Sequence, residues 1–190
     1  MKYALLICFL LYTVNSQLLG GWKKGSFREN DFGIDRAFKK AFQLYKENNP
    51  NAVIDSLKRL TVYRQTANGI NYRICFIDLN SKLNVVQEYI ISGPAFNNRK
   101  DKEYKLFEHK TYPPKIGYIS VKGNILNNIK STLSNFTKNS NDVISKIDYI
   151  DTYLDNFYIV TTRTGNDRHT YVVCQNKENT EEYETLGKLK

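Results

Sequence analysis

The sequence predicts an α+β fold in which an antiparallel sheet wraps around one long helix, and predicts it twice in tandem. Three observations carry that expectation. Each half opens on a stretch with helical apolar spacing. Each such stretch stops at an Asn-rich segment followed by a Val-Ile pair. Short runs of Tyr, Ile, Val and Thr with turn residues between them then follow. Composition agrees: of 190 residues 41% are hydrophobic, with 14 Tyr and 10 Phe against 10 Gly and 4 Pro. Collagen-like and disordered chains are excluded, and aromatic residues in this number suit the half-buried surface of a sheet.

The chain begins with the features of an export signal. Lys2 precedes the apolar run Ala4–Tyr12, which is shorter than the roughly 20 residues that span a bilayer. Val14 and Ser16 are small enough for cleavage before Gln17. The expected organisation is a signal peptide over residues 1–16, a first domain over 17–112 and a degenerate second domain over 113–190. The expected location is secreted, or the lumen of the secretory and endolysosomal pathway, with no transmembrane segment. Loss of Lys2 takes the net charge from +9 to +8. Residues 17–112 hold 17 Lys and Arg against 10 acidic residues, and residues 113–190 hold 10 against 9, so the basic excess belongs to the first half. Export argues against a nucleic-acid partner and points this charge toward an acidic surface, or toward solubility alone.

In the first half Ile34, Ala37, Phe38, Ala41, Phe42 and Tyr45 fall at i, i+3, i+4, i+7, i+8 and i+11, one apolar stripe of a helix. In the second, Ile125, Ile129, Leu133 and Phe136 repeat the pattern at an offset of 91 residues. The exits Asn48-Asn49-Pro50-Asn51 and Asn139-Ser140-Asn141-Asp142 lead to Val53-Ile54 and Val143-Ile144. Strands are expected over residues 56–64, 71–79, 83–92 and 103–110, and again over 146–154, 157–163 and 170–175. Pro113-Pro114 marks the joint, because proline cannot donate to a ladder.

The first strand-strand junction differs between the halves. The second half turns through Asp155-Asn156, whereas the first inserts Gln65-Thr66-Ala67-Asn68-Gly69. Asn68-Gly69 tolerates positive φ, so this tip turns sharply and projects backbone without bulky side chains. Such a tip suits insertion into a narrow cleft, since little entropy is lost on docking.

These residues resemble the cystatins, protein inhibitors of papain-like cysteine proteases. Gln65-Thr66-Ala67-Asn68-Gly69 is similar to the family's Q-x-V-x-G hairpin loop, and Asn71-Tyr72 follows as in many members. Leu18-Leu19-Gly20-Gly21 is similar to the apolar pair and glycine of the inhibitory trunk, and Pro94 is placed like the proline of the second hairpin loop. The resemblance covers about residues 18–110 and implies occlusion. Gly20 and Gly21, Gln65 to Gly69, and Pro94, Ala95 and Phe96 would line one edge and fill the cleft of a cathepsin-type protease. Gly20 and Gly21 also read as a flexible link after the signal, and Trp22 as a packing residue. Two departures bear on potency. Ala67 stands where the family prefers Val, which at about 0.8 kcal/mol per missing methyl group implies roughly tenfold weaker binding. Ala95 and not Trp follows Pro94, removing a large aromatic anchor unless Phe96 replaces it.

Ser140-Asn141-Asp142 has two readings. It is similar to the stretch by which some cystatins inhibit legumain, which would make Asn141 a contact. The same residue types also end a helix and build a turn. Asn135-Phe136-Thr137 is a glycosylation sequon, hidden if Phe136 joins the apolar stripe.

Chemistry is poorly supplied. His109 and His169 are the two histidines, and Cys8, Cys75 and Cys174 the three cysteines. G-x-S-x-G, H-E-x-x-H and P-loop motifs are absent, so no catalytic residue, metal or cofactor is expected. Cys75 and Cys174 fall one to each half, leaving a bridge between halves, an intermolecular bridge and two free thiols all open. A second function class competes with the inhibitor: a non-inhibitory binding module whose basic first domain holds an acidic partner or surface.

Overall fold

The computed structural model describes residues 21–27, 31–66, 69–81, 84–94, 103–115, 123–138 and 142–189. The expected signal peptide lies outside them. In chain order the elements are β1 (Lys23–Lys24), α1 (Phe32–Asn48), a 3-10 turn (Ile54–Ser56), β2 (Leu57–Thr66), β3 (Ile70–Asp78), β4 (Val86–Ser92) and β5 (Lys105–Tyr112). Then come α2 (Asn124–Thr137), β6 (Val143–Asp151), β7 (Asp155–Thr164), β8 (Asp167–Asn176) and β9 (Tyr183–Lys188). The strands form a five-stranded sheet, in the order β1-β2-β3-β4-β5, and a four-stranded sheet, in the order β6-β7-β8-β9. The chain divides into two compact units; the second takes in the segment Ile77–Val86 together with everything from Thr111 onward.

The expected architecture, α+β with a cystatin-like sheet wrapped around one long helix twice in tandem, is overturned. Among the described residues the chain is mostly antiparallel β, with two sheets, nine strands and two helices of 17 and 14 residues. The physical reason is that each sheet buries apolar side chains on both faces. One face of the first sheet packs Leu57, Val62, Tyr72, Ile74, Phe76, Tyr89 and Ile91 against Ile34, Ala37, Phe38, Ala41 and Tyr45 of α1. Its opposite face carries Tyr63, Cys75 and Ile90, and these too are buried. In the second sheet, Tyr158, Val160, Tyr171 and Val173 meet Ile129 and Leu133 of α2, while Ile150, Phe157, Ile159, Val172 and Cys174 are buried on the other face. A sheet that merely wraps a helix needs one apolar face. Two-sided burial gives the near-continuous apolar runs Ile74-Cys75-Phe76-Ile77 and Tyr171-Val172-Val173-Cys174.

Within the first unit the helix meets the sheet through aromatic rings. Phe38 and Tyr45 approach Phe76 edge-on at 6.0 and 5.4 Å, Phe76 stacks on Tyr89 at 5.7 Å, and Tyr89 stacks on His109 at 4.2 Å. The Arg59 guanidinium covers Phe38 at 4.1 Å, a contact that desolvates the cation's face over the ring. The helix ends where Asn49 donates its side-chain amide to the Tyr45 carbonyl at 2.9 Å, just before Pro50. α2 is held less closely. Of its expected stripe only Ile129 and Leu133 are buried, while Ile125 is 38% and Phe136 49% exposed. Phe136 therefore does not hide the sequon at Asn135.

Two further expectations change. The hairpin connections β2–β3 and β6–β7 each leave three residues, 67–69 and 152–154, so no insertion distinguishes the halves. Asp155 and Asn156 are not the tip but the start of β7, because Thr152 closes the turn. Its N–H and hydroxyl both donate to the Asp155 carbonyl, at 3.0 and 2.8 Å. The tight two-residue turn lies one hairpin later, at Gly165-Asn166, where Gly165 has φ 59°.

On the face of the first sheet away from α1, Arg73 of β3 and Glu88 of β4 form a buried ion pair at 2.9 Å. Cys75 Sγ donates to the same carboxylate at 3.8 Å, and the Arg73 guanidinium lies 4.8 Å over the Trp22 ring. Removing one partner strands a buried charge, which costs about 3–5 kcal/mol, whereas replacing both by apolar groups costs far less. Arg73→Met and Glu88→Leu are each expected to lower stability by about that amount in urea unfolding, and the double variant to recover most of it. Additive losses would contradict a buried pair.

In the second unit Lys177 Nζ donates to Asp151 and to the Thr152 carbonyl, and Lys115 lies 3.7 Å from the same carboxylate. The Lys177 hydrogen bond, with the charges of Lys177 and Lys115, holds Asp151 below the usual carboxylate range against the burial that raises it. A carboxyl depressed in the folded state contributes stability above its unfolded pKa and loses it as pH falls through the folded value. Lys177→Met is expected to flatten the acid limb of the stability profile. The loss at neutral pH should stay below about 1 kcal/mol, because the carboxylate is partly solvated. Urea melts at neutral and acid pH check this, and an unchanged acid slope contradicts it.

Candidate functional site

Of the residues singled out from the sequence, Gly21, Gln65, Thr66, Gly69 and Pro94 are described, and they lie at one end of the first sheet. β1 pairs antiparallel with β2, Lys23 opposite Arg64 and Lys24 opposite Tyr63. Antiparallel pairing carries the chain ahead of Lys23 toward the end of β2, so Trp22 and Gly21 approach Gln65 and Thr66. Across the hairpin, the Gly93 N–H donates to the Ile70 carbonyl at 2.8 Å, which sets the exit of β4 beside the entry of β3. Three segments distant in sequence thus adjoin: Gly21 and Trp22 ahead of β1, the ends of β2 and β3 at Thr66 and Ile70, and Gly93 after β4.

Local chemistry explains each placement. Gln65 is half-buried and Thr66 exposed at the end of β2, and Gly69 has φ 139°, a conformation that side chains with a Cβ rarely adopt. Pro94, half-buried, follows Gly93. A Cβ on Gly93 would lie 3.0 Å from the Ile70 carbonyl oxygen and 3.4 Å from the Tyr72 and Tyr104 rings, so only glycine fits without a shift. Gly21 is exposed, with nothing within 4 Å of a built Cβ. Trp22 packs under Arg73, which ties the approach to β1 onto the sheet. Gly20, Ala67, Asn68, Ala95, Phe96 and the second-half residue Asn141 lie outside the described residues.

The start of α1 is fastened to this end. Asp31 caps the helix, its Oδ1 accepting from the N–H groups of Gly33 at 2.8 Å and Ile34 at 3.3 Å. Its Oδ2 accepts from Arg64 Nη1 at 2.7 Å. Tyr72 lies beneath, 6.1 Å from Tyr104 between ring centroids. Its phenol is pushed up to about 12 by burial, with Tyr104 and Asp31 adding to the effect, so it stays neutral at physiological pH. These supports were missed in the sequence. An acidic residue just ahead of the apolar stripe was a readable cap signal at Asp31, but nothing local marks Gly33, Gly93 or Tyr104, whose roles arise from packing across strands.

Among the described residues, Cys75 and Cys174 are buried and form no disulfide. That resolves the three expected alternatives in favour of thiols. Among the described residues no cluster of His, Cys, Asp and Glu could hold a metal ion, and no helix is long and apolar enough to cross a membrane. Comparison with protein-family models and with curated proteins finds no match for this chain.

A Cβ on Gly33 would fall 2.1 Å from the Tyr72 hydroxyl and 3.0 Å from its Cζ. Gly33→Ala is therefore expected to destabilise the chain by about 1–3 kcal/mol, although alanine is the better helix former. Adding Tyr72→Phe, which deletes the nearest atom, should recover part of that loss in a double-mutant cycle by thermal unfolding. A stabilising Gly33→Ala would contradict the contact.

Proposed function

We propose that this protein is an exported inhibitor of papain-like cysteine proteases that seats the end of its first sheet in the active-site cleft. The single observation supporting this reading is the adjacency of the three segments, which rests on the Lys23–Arg64 pairing and the Gly93–Ile70 hydrogen bond. The overall fold lends it nothing, since the chain is mostly antiparallel sheet and does not wrap a sheet around a helix twice. The local arrangement stands by itself. Gly21 leads into β1, which pairs with β2, and Pro94 follows Gly93, which bonds to Ile70, and backbone anchored in this way loses little entropy on docking. Thr66 and Gly69, which bound the β2–β3 connection, lie between Gly21 on one flank and Pro94 on the other. Occlusion needs no nucleophile, metal or cofactor from this chain, and its buried thiols are poorly placed for attack. A cathepsin-type enzyme is the partner the edge fits; legumain, through Asn141, is a separate client on the same proposal.

Titration of papain with the purified protein tests it. Stoichiometric loss of activity is expected, and Gly69→Val, which forces a branched side chain onto φ 139°, should weaken inhibition by at least about tenfold. Lys130→Ala, on the exposed surface of α2, should leave inhibition unchanged. Absence of inhibition at micromolar protein would overturn the reading and leave the binding module for an acidic partner.

A further inference from the structure

Asn135 alone among the asparagines of the sequence is followed two positions on by Ser or Thr with no proline between, as Asn135-Phe136-Thr137. It lies in the last turn of α2, and whether the finished fold has room for a glycan there is a question of which way the helix faces. Ile129 and Leu133 are buried against the second sheet. Two positions beyond Leu133 is about 200° round the helix, so Asn135 stands on the opposite face, and it is exposed. Ser131 and Lys138, its neighbours one turn to either side, are exposed as well. One is small and the other long and flexible, so a sugar at this position meets no packed side chain. Phe136 turns to Tyr171, edge-on with ring centroids 6.2 Å apart, and leaves Asn135 uncovered.

We propose that Asn135 carries an N-linked glycan. The reaction joins Asn135 Nδ2 to C1 of an oligosaccharide carried on a lipid pyrophosphate. The bond from C1 to the pyrophosphate oxygen breaks, the lipid pyrophosphate leaves with the electron pair, and the amide gives up one proton. Nothing is oxidised or reduced, and the Thr137 hydroxyl is read by the transferase and not consumed. In the folded chain that hydroxyl donates to the Leu133 carbonyl at 3.0 Å, inside the last turn of the helix. A hydroxyl engaged in this way is withdrawn from an enzyme that must read it, so transfer precedes the closing of α2, and folding then leaves the sugar on the solvent side. The proposal rests on the export half of the reading above, because the lipid-linked donor is used in the lumen. It makes no use of the β2–β3 end.

Cell-free translation of the whole chain in the presence of microsomal membranes tests it. Protease added outside the vesicles reports export, and glycosidase-sensitive gel mobility reports the sugar. The expected product is protected from protease and shifted by a single glycan. Peptide N-glycosidase should remove the shift and leave aspartate at position 135, read from the mass of the tryptic peptide. Asn135→Gln and Thr137→Ala should each lose the shift completely, whereas Thr137→Ser, which keeps the hydroxyl, should retain it, and all three should remain protected. None of these readouts depends on the variant folding, since transfer comes first. A protected product without the shift would overturn the proposal and leave export standing. An unprotected product would overturn both, and a shift that survives Asn135→Gln would overturn the assignment to this residue.

Discussion

One carboxylate sets the geometry on which the first unit depends. Asp31 uses Oδ1 to satisfy two N–H groups at the start of α1 and Oδ2 to hold Arg64 near the end of β2. Hydrophobic burial of Ile34 and Phe38 against the sheet is far larger in energy, but it has no direction, and the helix could slide along an apolar face at little cost. The cap and the ion pair fix where along β2 the helix begins. Arg64 in turn stands opposite Lys23, so the same contact registers the approach to β1. The ion pair itself is partly solvated and adds less than about 1 kcal/mol. Its importance is positional.

The two faces of the first sheet divide the labour. The face toward α1 is apolar and aromatic, with Phe76 at the centre of a run of rings from Phe38 to His109. The opposite face buries a charged pair beside a thiol, and Trp22 lies against it. A buried Arg–Glu pair contributes little net stability against apolar replacements, yet it punishes any register in which the two charges do not meet. Together with the Gly93–Ile70 hydrogen bond it aligns β3 with β4, and so determines where the turn after β4 emerges.

Much of this was readable in the chain. The stripe from Ile34 to Tyr45 lies on α1 and is buried apart from the half-buried Phe42, because spacing at 3.6 residues per turn is sufficient to define a helical face. The positions of β2 to β8 were readable to within a few residues from runs of Tyr, Ile, Val and Thr broken by turn residues. Other features were misread for identifiable causes. The apolar runs at Ile74–Ile77 and Tyr171–Cys174 signalled burial on both faces, and reading them as strands around a helix discarded that signal. β1 is two lysines, and its strand character comes from pairing with β2 and from no pattern of its own. β9, with Thr185 and Leu186 amid charged and small residues, was invisible similarly. Thr152 shortened the expected reach of Asp155-Asn156 through its own hydroxyl, a side-chain contact that composition alone does not reveal. At the candidate site Gln65, Gly69 and Pro94 were legible as loop chemistry, whereas the contacts that aim them, through Gly93, Tyr72 and Asp31, join residues far apart in sequence.

The central claim is that three chain segments act as one surface. Amide hydrogen exchange of the protein, alone and bound to catalytically inactivated papain, tests it most directly. The account predicts slowed exchange at residues 21–24, 65–70 and 92–93 together, with α2 and β6–β9 unchanged. Protection confined to one of the three segments, or appearing only in the second unit, would contradict it.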